Sequence, residues 1–333
     1  MASPTYTTKA AVFHGPKPVA PFLTISELPL REPTSGEAVV EILAARVLTY
    51  AHELFDGTRP YPNLLPFVPG VGGMGIIRSI GPGNTTLQTG QLVVIDPTVR
   101  ARDNAISPDI MLLGLIAGGP GSQRLQEVWH HVAYGGFLSA DLKAGQTIAI
   151  TGATGPFGAS AVAVALAMGA RRVIASGRNA AVLECFAAKF GPRVFPLVAT
   201  GDEDQDTANF REAAGKGFQI DVTFDILPPT APFSTARAAI SALRSGGTAV
   251  LTGGVQGNVE LPYRVIMRNN LTIKGSYMFT REANVNLIGM LEAGLLDPTM
   301  IQHTTFKLDQ VEEAIEWSKN HAGPFDATLL TPN

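Results

Sequence analysis

The sequence predicts an α/β protein in which a β-rich domain accompanies a doubly wound parallel sheet. Three observations carry this prediction. From Thr7 to about Val99, short β-favouring runs such as KAAVFHG, EAVVEILAARVL and GQLVVID alternate with Pro- and Gly-rich turns, as in PYPNLLPFVPGVGG. From Thr147 onward, short apolar runs alternate with helical patterns, the rhythm of β-α-β units. At the head of that second region a glycine-rich turn follows a strand pattern and opens a helix pattern. A length of 333 residues agrees with two domains of about 100–200 residues each.

Thr147–Thr151 (TIAIT) is an apolar run bounded by turn residues and predicts a buried strand. Pro156–Met168 predicts a helix of small residues, with Pro at the first turn, where its missing N–H is one the helix would leave unbonded anyway. Arg172–Ala175 is the next strand and Ala180–Phe190 the next helix. Val194–Pro196, Val222–Ile226, Thr248–Leu251 and Leu271–Lys274 continue as strands, with helices over Thr207–Ala214 and Ala231–Leu243 between some of them. In the tail, Leu308–Lys319 puts Val311, Ala314, Ile315 and Ser318 on one helical face, and Thr328–Leu330 reads as a last short strand. Arg100–Lys143 is the hardest part of the chain to assign.

Composition excludes several classes. With 45% hydrophobic and 16% charged residues the chain can bury sizeable cores and is not disordered. A net charge of −3 without a basic stripe argues against nucleic acid or a membrane surface as partner. The single cysteine, Cys185, excludes an intramolecular disulfide framework and a Cys-rich metal site, and agrees with a reducing compartment. Met1–Gly15 lacks a signal-peptide core, and no run reaches the ~18 apolar residues of a spanning helix. A cytoplasmic protein is expected.

Gly152-Ala153-Thr154-Gly155-Pro156-Phe157-Gly158 has the spacing G-x-x-G-x-x-G rather than G-x-G-x-x-G. The physics is shared: Gly155 would let the backbone approach a pyrophosphate, Gly158 would let helix and sheet pack closely, and amides at the helix start would face the negative charge. The alternative is a tight turn without a ligand. An NAD site usually carries an acidic residue about 20 positions on, bound to the ribose 2′-hydroxyl. Here the second strand runs into Ser176-Gly177-Arg178-Asn179 with no carboxylate; Arg178, by a charge-assisted contact, and Ser176 are expected to hold a 2′-phosphate. NADP(H) is therefore the expected cofactor, against the alternative that Arg178 caps an exposed loop. Leu227, Gly253-Gly254-Val255 and Ser276-Tyr277 lie at or just beyond further strand ends, where open α/β sheets gather ligands, and are expected on the nicotinamide side. Each could equally be an ordinary turn.

With KAAVFHG, the turn-rich β region, TGATGPFG at mid-chain, LTGGV, IKGSY and FKLDQVEEAIEW, nearly the whole chain resembles the medium-chain dehydrogenase/reductase superfamily, especially its zinc-independent quinone oxidoreductase and enoyl reductase branches. Short-chain reductases share TGATGxxG but carry it near the N-terminus. The resemblance implies a GroES-like catalytic domain from residues 1–130 and 297–333 and a Rossmann domain over 131–296, with nicotinamide and substrate in the cleft between them. It also implies where zinc would be held. At those positions this chain has Val47-Leu48-Thr49-Tyr50-Ala51-His52 without a cysteine, and Val71 and Gly72 in place of His-Glu. The four-cysteine structural zinc cluster is missing too. A carbon side chain cannot donate a lone pair to zinc, so no metal is expected.

Without a Lewis acid, charge developing on the substrate oxygen must be met by hydrogen-bond donors, which favours a conjugated acceptor. Thr49, Tyr50 and His52 stand where related reductases line the nicotinamide pocket; Tyr50 could polarise an oxygen and His52 could relay a proton. A core tyrosine and a solvated His–Glu pair are the plain alternatives. Tyr61 and Tyr277 are further pocket candidates. Family members usually carry a Gly-x-x-Ala-Glu strand and a long helical stretch before the glycine loop. Here Trp129-His130-His131, read as a lead-in to that strand, runs straight into a helix pattern from Val132, and ~30–40 residues are expected to be missing against the usual module size. The expected activity is NADPH-dependent reduction of an enone, quinone or related carbonyl compound. The alternatives are a metal-free alcohol dehydrogenase or ketoreductase, and a non-catalytic NADPH-binding protein. The small-molecule substrate is the expected partner, and Leu271–Ser276 is the edge expected to pair in a homodimer.

Overall fold

The computed structural model describes residues 6–58, 65–100, 110–112, 129–255, 257–277 and 279–332. The first elements are β1 (Tyr6–Phe13), β2 (Leu23–Leu30), β3 (Ala38–Val47), α1 (Ala51–Asp56), β4 (Gly73–Ile80), β5 (Leu92–Ile95), β6 (Thr98–Arg100) and β7 (Ile110–Leu112). There follow α2 (Trp129–Ala140), β8 (Thr147–Thr151), α3 (Pro156–Ala167), β9 (Arg172–Gly177), α4 (Ala180–Phe190), β10 (Val194–Val198), α5 (Glu203–Ala213) and β11 (Ile220–Asp225). The remainder is α6 (Ser234–Ser241), β12 (Leu243–Leu251), α7 (Tyr263–Arg268), β13 (Thr272–Gly275), α8 (Arg281–Glu292), β14 (Gln302–Lys307), α9 (Val311–Asn320) and β15 (Asp326–Thr331). These elements divide into two compact units. One comprises Met1–Gln126, Ile301–Ala322 and Asp326–Asn333; the other comprises Glu127–Met300 and Gly323–Phe325.

In the first unit, β1 and β2 form an antiparallel pair in which Tyr6 lies opposite Leu30 and Phe13 opposite Leu23. A five-stranded sheet has the order β14-β15-β3-β4-β5, with β14 and β15 parallel and the other pairs antiparallel. The tail therefore completes a sheet begun near the N-terminus. Phe13 packs edge-to-face on Phe55 and Phe67, with ring centroids 5.0 and 5.6 Å away. The face expected for the tail helix is observed: Val311, Ala314, Ile315 and Ser318 of α9 are buried, and Ser318 Oγ donates to Val47 O across 3.3 Å.

The second unit holds a six-stranded parallel sheet in the order β10-β9-β8-β11-β12-β13. β8 is buried along its whole length, as its apolar run requires. Small side chains on α3, from Gly158 to Val162 and at Val164 and Ala165, are buried. Phe210 of α5, Ile220, Leu243 and the alanines of α6 fill a core around Ala149 and Ile174.

Several boundaries differ from the sequence reading. α6 ends at Ser241 rather than Leu243, because Leu243 already pairs with Ile220 of β11. Between that pair and Val222↔Thr248 the register slips, at a bulge in β12 where Gly246 takes φ +74°. Trp129–His131 forms the first turn of α2 rather than a lead-in to a strand. α7, α8 and β14 are not foreseen. In α8 only Ala283 and Leu287 keep a clean buried spacing, while Val285, Ile288 and Leu291 are exposed and blur the helical period. Tyr61, Met278 and most of the unassigned linker before Trp129 lie outside the described residues. Among the described residues, no helix is long and apolar enough to cross a membrane.

Candidate functional site

In the parallel sheet the chain runs outward from β8 to β9 and β10, then returns to the other side of β8 with β11. The carboxyl ends of β8 and β11 are thus the point where strand order reverses, where such sheets open a crevice. The Gly152–Gly158 turn sits there. Gly152 has φ +75°, and a Cβ on it would come within 2.7 Å of Ile226 O. A Cβ on Gly158 would overlap Ala153 Cα and Gly152 O, both main chain, so helix and turn touch only because this residue has no side chain. Gly155 is different: among the described residues a Cβ there would meet nothing nearer than Gly152 O at 3.8 Å. Gly155 is the N-cap of α3 in an extended conformation, without a side-chain cap, and Pro156 starts the helix. Thr154 and Phe157 are half-buried. The helix start is thus open for a ligand's negative charge.

β9 ends beside this turn, with Ser176 O accepting from Ala153 N across 2.9 Å. Ser176 is fully buried and its hydroxyl has no hydrogen-bond partner among the described residues, so the side chain sits beneath the surface rather than at the accessible phosphate position expected for it. Gly177 makes room for Thr154, whose side chain would overlap any Cβ at that position. Arg178 is exposed. Asn179 caps α4, its Oδ1 accepting from Val182 N at 3.2 Å.

Beyond β11, β12 and β13 the chain makes three further turns at the same end of the sheet. Gly254 N donates to Leu227 O at 2.8 Å, and Ser276 N donates to Leu251 O at 3.0 Å. A Cβ on Gly253 would lie 2.6 Å from Asp225 Oδ2. Val255 is half-buried, and Tyr277 is 40% exposed. Ser276 Oγ shares a 3.3 Å hydrogen bond with Ser139 Oγ of α2.

Sequence reasoning passed over Thr151 and Asp225. Thr151 Oγ1 donates to Asp225 Oδ1 across 2.7 Å in the buried end of the sheet. Burial raises the Asp225 carboxyl above its ordinary value, opposed by hydrogen bonds from Thr151, Leu227 N and Gly253 N. A strand-terminal Asp before Ile226-Leu227 was the available signal, but its partners are brought together only by the sheet.

In the β-rich unit, Thr49, Tyr50 and His52 gather at the start of α1. Tyr50 is the buried N-cap residue and Thr49 is half-buried. His52 Nδ1 makes a 3.2 Å hydrogen bond with Thr49 O, so the ring folds back on its own turn.

The family model "Zinc-binding dehydrogenase" matches residues 156–293. That span contains no histidine and only Cys185. Over most of its length the chain is 24% identical to an alcohol dehydrogenase of Moraxella sp., with 93% of this chain and 96% of that protein aligned. A quinone oxidoreductase of Lama guanicoe is 25% identical, with 90% of each chain aligned. Among solved structures, an alcohol dehydrogenase of Escherichia coli CFT073 complexed with NADH superposes with a TM-score of 0.77 at 21% identity, covering 98% of this chain and 99% of that one.

Proposed function

The chain belongs to the medium-chain dehydrogenase/reductase superfamily, and on that premise we propose that this oxidoreductase passes hydride from NADPH to an enone, quinone or related carbonyl compound without a metal ion. The glycine turn at the reversal point of the sheet carries the reading. It combines a helix start without a side-chain cap, open space beside Gly155 and a main-chain contact that only Gly158 permits. Gly152, Thr154, Gly155, Pro156, Phe157 and Gly158 would hold the pyrophosphate. Arg178 would take the 2′-phosphate beside Gly177 and Asn179, while buried Ser176 supports the turn through its carbonyl. Leu227, Gly253, Gly254, Val255, Ser276 and Tyr277 would border the nicotinamide side.

When bound, NADPH supplies the hydride. The protein's own part is to orient both reactants and to deliver a proton to the substrate. Tyr50, through its phenol O–H, and His52, through its imidazole N–H, would be the donors in the β-rich unit, with Thr49 as a weaker one. Val71 and Gly72 offer no ligand to zinc, and the matched span adds no histidine. A conjugated acceptor eases the loss of a Lewis acid because negative charge spreads into an enolate or hydroquinone.

The alcohol dehydrogenase among the relatives favours a second reading, metal-free exchange between an alcohol and a ketone. Cofactor oxidation followed at 340 nm with NADPH and NADH, against an enone, a quinone and a simple ketone, separates the two. We expect NADPH-dependent turnover of the enone or quinone, and loss of the NADPH preference in Arg178→Ala. Turnover of the ketone alone overturns the leading reading in favour of the second; a preference for NADH overturns the cofactor assignment.

A further inference from the structure

We infer that Asp225 is a positioning residue, whose carboxylate fixes the spacing between the Gly152 turn and the Gly253–Val255 turn so that both ends of one dinucleotide can be held at once. This rests on the cofactor reading above, in which the first turn takes the pyrophosphate and the second borders the nicotinamide. Asp225 ends β11, the strand between β8 and β12. It is 6% exposed, its side chain accepts from Thr151 Oγ1 of β8 across 2.7 Å, and the main-chain amides of Leu227, in its own turn, and Gly253, in the turn after β12, face the carboxyl. Main-chain bonds run alongside: Ile226 N donates to Thr151 O at 3.2 Å, and Thr252 N to Asp225 O at 3.0 Å.

Glycine reinforces the tie on both sides. A Cβ at Gly253 would stand 2.6 Å from Asp225 Oδ2, and one at Gly152 would stand 2.7 Å from Ile226 O. The two turns therefore approach the residues around Asp225 as closely as main chain allows. A carboxylate accepts on both oxygens, whereas a carboxamide accepts on one. In Asp225→Asn the NH2 group can turn to Thr151, whose hydroxyl then accepts, but the one remaining oxygen is uncharged and holds the turn after β12 more weakly.

The test compares two probes on the purified full chain: NADPH, which spans both turns, and adenosine 2′,5′-bisphosphate, which carries only the adenosine end. Asp225→Asn is expected to weaken NADPH by about tenfold while the bisphosphate stays within about twofold, because the charged acceptor that holds the second turn is lost. Thr151→Val, which removes a donor at constant shape, is expected to act in the same direction, and Thr151→Ser to restore NADPH binding. A merely structural loss would weaken both probes together and would not be rescued by serine. Equal weakening of the two probes, or unchanged NADPH binding in Asp225→Asn, overturns the inference alone. Failure of both Asp225→Asn and Thr151→Val to fold makes Asp225 a folding residue and overturns it too. If the native protein binds neither probe, the cofactor reading fails and takes the inference with it.

Discussion

Two glycines three residues apart have opposite physical roles. At Gly158 a methyl group would press on main chain at Ala153 and Gly152, which cannot move aside without shifting α3. At Gly155 the space is open, so a methyl group harms nothing in the protein itself. Gly158→Ala should therefore lose about 1–3 kcal/mol of stability, the usual cost of overpacking. Gly155→Ala should unfold within about 0.5 kcal/mol of the native protein, as substitutions outside tight contacts do, yet bind NADPH more weakly because its methyl meets the ligand. Urea melts read with NADPH titrations check both; a Gly155→Ala protein that binds NADPH normally would remove the pyrophosphate from this turn. The glycine pattern was legible in the sequence because each residue's task is local. The fate of Ser176 was not, since its burial comes from β8 and β10 on either side of it.

At the scale of elements, Asn179 joins two arguments. Its side chain caps α4, as Asp202 caps α5 by accepting from Gln205 N at 2.8 Å. Removing either cap as Asn179→Ala or Asp202→Ala should cost about 1 kcal/mol. Asn179→Asp keeps a good cap and so should melt like the native protein. It also places a carboxylate 21 residues after Gly158, near where an NAD site carries its acid. Beside Arg178 that charge repels a 2′-phosphate and accepts from a 2′-hydroxyl. The kcat/KM ratio for NADPH over NADH should fall in Asn179→Asp at unchanged melting temperature; an unaltered ratio would detach residues 178 and 179 from the ribose. The helix over Ala180–Phe190 was readable to the residue because the cap and the buried Leu183 and Phe186 agree. α8 was missed because its exposed apolar side chains hide its period.

For the whole molecule, the proposal that no metal takes part makes a simple demand. Dialysis of the purified enzyme against a chelator should leave both activity and melting temperature unchanged, and elemental analysis should find zinc well below one equivalent per chain. A chelator-sensitive activity restored by zinc would reverse the proposed chemistry. The chain's return from the α/β unit to complete the β14-β15-β3 part of the first sheet is a long-range pairing that the turn-rich texture only hinted at. Pairing across such sequence distances depends on the partner strand, and a single stretch of sequence does not carry its partner.

By itself the sequence determined the class of fold, the glycine turn with the helix it opens, the missing acid after the second strand, and the absence of a cysteine from Val47–His52. Each is written in neighbouring residues, through period, spacing or the chemistry of one side chain. Only the tertiary structure decided that Ser176 lies buried, that His52 bonds its own turn, and that Asp225 ties the turns after β8 and β12 to its own. Thr151 and Asp225 are 74 positions apart and meet because β8 and β11 are neighbours in the sheet. A carboxylate's role is set by the donors around it, and those donors are assembled by strand order.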